Sequence, residues 1–94
     1  MFLFVVAACG ELALAENRLE ARVVNLSHQE ISFRLVDEVC GELLFEGRLQ
    51  GNGQRVLHLC PTVVGKGDVS VQRLDGGRDE RFRHVAPNGS VMLR

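Results

Sequence analysis

The chain has 94 residues, 46% of them apolar and 24% charged, with a formal net charge of −1. That length allows one domain built on a single core. The apolar fraction excludes an intrinsically disordered chain, and the neutral balance lacks the basic surplus of a nucleic-acid-binding protein. With neither Trp nor Tyr present, stacking recognition of single-stranded nucleic acid has little to work with.

The first stretch, MFLFVVAACGELALAEN, is apolar without a break over residues 2–8. It is far short of the roughly 20 residues a membrane-spanning helix needs, but it fits the roughly 7–15 of a signal-peptide apolar region. Ala13-Leu14-Ala15 supplies the small-x-small pattern of a cleavage site, and the chain turns polar at Glu16-Asn17-Arg18. The expectation is a signal segment over 1–15, followed by one domain over 16–94 in the periplasm or outside the cell. No Lys or Arg precedes the apolar run, which a signal normally carries. Two other readings stand beside it. Val6-Ala7-Ala8-Cys9 is similar to a lipobox, which would leave a lipid anchor at Cys9. A retained segment would instead form a buried strand at 2–8 and a short helix at 11–19, in a cytoplasmic protein.

From Leu19 onward the apolar period is two, the signature of half-buried strands. Leu19, Ala21 and Val23 alternate with Glu20, Arg22 and Val24, and Ile31, Phe33 and Leu35 with Ser32, Arg34 and Val36. Leu43–Leu49 is a third run. Arg55, Leu57 and Leu59 alternate with Val56, His58 and Cys60, and Val69 and Val71 with Ser70 and Gln72. Phe82 with His84, then Val91 with Leu93, close the series. Turn residues separate the runs: Asn25–His28, Gly51-Asn52-Gly53, Gly65–Asp68, Asp75-Gly76-Gly77 and Pro87-Asn88-Gly89. Asn88-Gly89 reads as a type I′ hairpin turn, which needs both central residues at positive φ. The pattern predicts an all-β fold, a small antiparallel sandwich of about seven short strands, with an immunoglobulin-like order as the working topology. Ile31, Phe33, Leu35, Leu57, Leu59, Val69, Val71, Phe82 and Val91 are the expected core.

Removal of the signal segment takes Cys9 with it and leaves two cysteines, Cys40 and Cys60. An even number of thiols in an exported chain reads as a disulfide. A hairpin around Gly51–Gly53, with Leu49 opposite Gln54, places Cys60 across from Leu43 and brings Cys40 to the same open end. A bend at Gly41 would close the remaining distance. The other reading is a pair of small buried apolar side chains.

No catalytic constellation stands out. Ser27, Ser32, Ser70 and Ser90 lack a nucleophile elbow. Asp37-Glu38 and Asp79-Glu80 are adjacent pairs, which on a strand point to opposite faces. Glycines near 51 and 65 precede no helical pattern, so they form no phosphate loop. His28, His58 and His84 lack close ligand spacing, although sheet folding could gather His58, His84 and Met92 into a copper-type site. Arg73, Arg78, Arg81 and Arg83 make a locally basic stretch, a candidate docking face for an acidic partner, interleaved with Asp75, Asp79 and Glu80. Asn25-Leu26-Ser27 and Asn88-Gly89-Ser90 match the glycosylation sequon and also suit turns. The expected function is therefore a non-catalytic exported binding or structural module that works by protein–protein contacts, without a cofactor. The alternatives are a periplasmic metal-binding protein using His and Met, and an accessory subunit of an enzyme complex.

Overall fold

The computed structural model describes residues 18–94. The expected signal segment at 1–15, the alternative anchor at Cys9 and the alternative strand at 2–8 lie outside the described residues. So does the alternative helix at 11–19, except for its last two positions, and of these Leu19 already opens a strand.

Seven strands and no helix make up the described residues, in two sheets. In chain order they are β1 (Leu19–Asn25), β2 (Ile31–Asp37), β3 (Glu42–Leu49), β4 (Gln54–Leu59), β5 (Gly67–Arg73), β6 (Glu80–Val85) and β7 (Ser90–Leu93). The period-two runs and the strands coincide because each run can bury one face only if its side chains alternate across a sheet. One sheet has the order β4-β1-β7 and the other β3-β2-β5-β6. Their inner faces share one apolar cluster: Ala21, Val23, Leu57, Leu59, Val91 and Leu93 from the first, and Ile31, Phe33, Leu35, Leu49, Val69, Val71 and Val85 from the second. This is a small β-sandwich, as the alternation predicts.

Four details of the expected topology differ. In an immunoglobulin domain the first two strands share a sheet, whereas here β1 and β2 lie in opposite sheets. The pairing is not wholly antiparallel, since β7 runs parallel to β1 with Val23 opposite Val91. The Gly51–Gly53 turn does not close a hairpin: β3 pairs with β2 and β4 with β1, so the chain crosses between sheets there. The turn residues explain why. Gly53 N–H donates to the Gln50 carbonyl, and of the two central residues only Asn52 has positive φ. That is a type II pattern. The Ala86–Gly89 turn is built the same way, with Pro87 and Asn88 central and only Asn88 at positive φ. A type I′ hairpin needs both, so this turn too carries the chain from one sheet to the other.

β6 also departs from simple alternation. Gly67 faces Val85 while Val69 faces Phe82, so β6 carries one extra residue between them. This bulge turns both Phe82 and Val85 toward the core and sends His84 outward, where strict alternation would have placed Phe82 and His84 together. Phe82 is partly buried rather than central, and Val85 takes the fully enclosed position. A second bulge, at Leu44 in β3, lets Phe45 stand opposite Leu35. Phe45 packs against Phe33 with ring centroids 4.9 Å apart, and the Arg55 guanidinium from the other sheet lies 4.9 Å above its ring. Arg55 thus occupies an inward position by covering the rim of the core rather than entering it.

Candidate functional site

Two buried polar side chains, Asn25 and Asp37, organise opposite ends of the sandwich, and both have no solvent exposure. Each ends a strand on an inward position, continuing an apolar alternation with a polar group. All buried side-chain polar atoms among the described residues have partners.

Asn25 closes one end. Its amide nitrogen donates to the carbonyls of Gln29 at 2.7 Å, Leu49 at 3.0 Å and Gln50 at 3.1 Å. Its side-chain oxygen accepts from Ser27 N–H at 3.0 Å and Ser27 Oγ at 2.7 Å. One side chain thereby ties the β1–β2 loop to the β3–β4 crossing. The sequon at Asn25 is consumed by this packing, whereas Asn88 is exposed on its turn.

Asp37 and the cysteines close the other end. Cys40, in the turn after β2, and Cys60, just beyond β4, meet as a disulfide with Cα atoms 6.1 Å apart. Asp37 Oδ2 accepts from Cys60 N–H at 2.7 Å and Oδ1 from Val39 N–H at 3.0 Å. The expected pair is formed, though across two sheets rather than within one hairpin. β3 and β4 run antiparallel whether they pair directly or face each other, so the start of one always meets the end of the other. Nearby, Arg18 clasps Glu42 with two bonds of 2.6 and 3.1 Å, which hold the Glu42 carboxyl below its usual range.

The same end carries an apolar loop. Between β4 and β5 the chain makes a tight turn in which Gly65 N–H donates to the Thr62 carbonyl, Thr62 N–H to the Lys66 carbonyl, and Lys66 N–H to Thr62 Oγ1. Its tip presents Val63 at 105% relative exposure and Val64 at 68%. Val39, also exposed, neighbours Cys40 on the adjoining turn.

The candidate metal ligands are not brought together. His58 and Met92 both project from the outer face of the β4-β1-β7 sheet, but on opposite edge strands. Their partners on β1, Glu20 and Val24, are four residues apart. Strand spacing puts the two roughly 16 Å apart. His84 lies on the other sheet. The arginines divide. Arg73 binds Asp75 through Nε at 3.1 Å and Nη2 at 3.0 Å, and donates from Nη1 to the Arg94 carbonyl at 2.8 Å. Arg81 binds Asp68 through Nε at 3.1 Å and Nη2 at 2.9 Å. Arg78 and Arg83 are exposed and make no ion pair among the described residues. The outer face of the second sheet holds a shallow depression of about 450 Å³ lined by Arg34, Val36, Ser70, Gln72 and Arg81 among others. Its arginines are already paired, Arg34 with Glu46 and Arg81 with Asp68.

The Arg73 guanidinium, helped by the N–H groups of Gly77 and Ser32, holds the Asp75 carboxyl down at about 2. A depressed carboxyl stabilises the fold above its unfolded-state value of about 3.9, and that contribution is lost as pH falls through the folded value. Asp75→Asn should therefore flatten the loss of stability between about pH 4 and pH 2. Urea titrations of both proteins across that window check this, and parallel curves would refute it.

The disulfide end, then, is an ordered, doubly fastened terminus that displays apolar side chains. Compared with protein-family models, curated proteins and solved structures, the chain matches none.

Proposed function

We propose that the chain is a non-catalytic binding module of an exported or envelope protein, which contacts another protein through the apolar tip at Val63-Val64. One observation carries this reading: two adjacent valines, Val63 fully and Val64 about two-thirds exposed, stand on a turn whose backbone is hydrogen-bonded and whose base is stapled by Cys40–Cys60. Exposed apolar side chains on a rigid base bind with little ordering cost, which is what a protein contact requires. The disulfide is compatible with an oxidising compartment. No helix of the described residues is long and apolar enough to cross a membrane.

Three of the four edge strands, all but β4, are blunted against strand addition, which supports the loop tip as the contact. β3 is bulged, β7 has four residues, and β6 carries Glu80, Arg81 and Arg83. Bulges, shortness and charge all blunt an edge against pairing.

A photo-crosslinking residue at position 63 in the native host should give a discrete adduct with one other protein, and one at Arg78, at the opposite end, should not. Adducts from position 78 alone would move the contact to the basic loop and overturn the assignment. The double variant Val63→Ser/Val64→Ser should keep stability within about 0.5 kcal/mol and lose at least about 2 kcal/mol of partner binding, as buried anchor residues do.

A further inference from the structure

The group at the disulfide end has a second chemical capacity, independent of the Val63-Val64 contact. A carboxylate oxygen of Asp37 and the sulfurs of Cys40 and Cys60 all lie within 4.8 Å of one another. Asp37 is fully buried, and its partners are two neutral backbone N–H groups. No ion pair neutralises it among the described residues. The two N–H bonds fix the carboxylate against the sulfur pair, while Cys40 lies on an exposed turn.

Two thiolates and a carboxylate are a donor set for a thiophilic divalent cation. Metal–sulfur bonds of about 2.3 Å and metal–oxygen bonds of about 2.0–2.2 Å put tetrahedral ligand atoms roughly 3.5–3.8 Å apart. The three atoms already stand inside a sphere of that order, and the exposed side of Cys40 leaves a fourth position to water. We propose that reduction of Cys40–Cys60 converts this structural staple into a binding site for one zinc-like cation, held by both thiolates and Asp37.

The redox step balances with a dithiol reductant. One reductant thiolate attacks a protein sulfur, and its second thiol then closes the reductant's own disulfide. Two electrons and two protons pass to Cys40 and Cys60, which become thiols. A thiol binds a divalent cation as its thiolate, so binding expels the two protons and strengthens as pH rises. The intact disulfide offers no thiolate, so the oxidised protein has no such site.

The test titrates Cd²⁺ into the phosphine-reduced protein and into the oxidised protein, following the sulfur-to-cadmium charge-transfer absorption, with Zn²⁺ as competitor. The reduced chain should bind one equivalent and the oxidised chain none. Cys40→Ser and Cys60→Ser should each weaken binding by more than about 100-fold, beyond the 10–100-fold typical of groups that only support a ligand. Asp37→Asn should weaken it comparably. Should that variant not fold, the carboxyl carbon resonance of Asp37 in the wild-type protein decides: it should shift on Cd²⁺ addition. No absorption from the reduced wild type, unchanged affinity in either single-cysteine variant, or an unmoved Asp37 resonance would each overturn the proposal.

Discussion

Replacing Asn25 by Asp should lower stability at neutral pH by about 3–5 kcal/mol, the range for leaving a charge buried without a partner. The change is nearly isosteric, so packing is not at issue. The amide nitrogen that serves the carbonyls of Gln29, Leu49 and Gln50 becomes an oxygen facing three oxygens. The site has no exposure through which water could compensate. A domain of this size has roughly 4–12 kcal/mol in total, at 0.05–0.15 per residue, so the variant should be marginal. The sign of its pH dependence separates this cause from simple loss of contacts. In the folded variant, burial against carbonyls raises the new carboxyl above its unfolded value of about 3.9. Stability is then fullest below that value and is lost as pH rises through the folded one. Asn25→Ala, which carries no charge, should lose less at pH 7 and show no such slope. Urea denaturation of both variants at pH 4 and pH 7 checks this. Equal losses at both pH values would mean that the carboxylate escapes to water.

Breaking Cys40–Cys60 has the next largest expected effect, about 3 kcal/mol from the chain entropy of a loop with a sequence separation of 20. For 60–100 residues each kcal/mol is worth about 4–8 °C, so the melting temperature should fall by roughly 10–25 °C on reduction. The bond joins the β2–β3 turn of one sheet to the end of β4 in the other. The loosening should therefore concentrate at that end, in faster amide exchange at Val39 and Cys60, whose N–H groups Asp37 holds. The Asn25 end, fastened by its own hydrogen bonds, should keep its protection. Calorimetry with and without reductant, beside residue-resolved exchange, measures both. An unchanged melting temperature would show that the link contributes nothing to the unfolded ensemble.

Much of this was legible in the residues. Period-two alternation marks most of the strands between Leu19 and Leu93, because one buried face is the only way a short strand can remove apolar area from water. Eight of the nine expected core residues are fully enclosed, and the ninth, Phe82, is partly so. The exceptions have identifiable causes. A bulge in β6 is one extra residue with no compositional mark, and it exchanged the roles of His84 and Val85. Of the two buried polar clasps, Asn25 reads as a turn residue and Asp37 as half of an adjacent acidic pair, because nothing local says that a polar group ending a strand will be enclosed. A signal was present in hindsight: each stands two residues beyond the last apolar position of its alternation, still on the inward face. Val63 and Val64 lie outside the period-two runs, and the mark they carry is that two adjacent β-branched side chains are unusual in a turn.

By itself, then, the sequence determined the class, the approximate strand positions and most of the core, and it singled out Cys40 and Cys60 as the expected pair. These follow from side-chain periodicity and from counting thiols, which are local or additive properties. Only the tertiary structure decided which strands pair, that the Gly51–Gly53 and Pro87–Gly89 turns cross between sheets, and that β7 returns parallel to β1. A hairpin and a crossing have the same alternation and nearly the same turn residues. What separates them is the φ of a single residue in each turn, together with the contacts of strands far apart in the chain. The same long-range closure sets Asp37 against Cys40 and Cys60 and places Val63-Val64 on a stapled end, where their chemistry can be used.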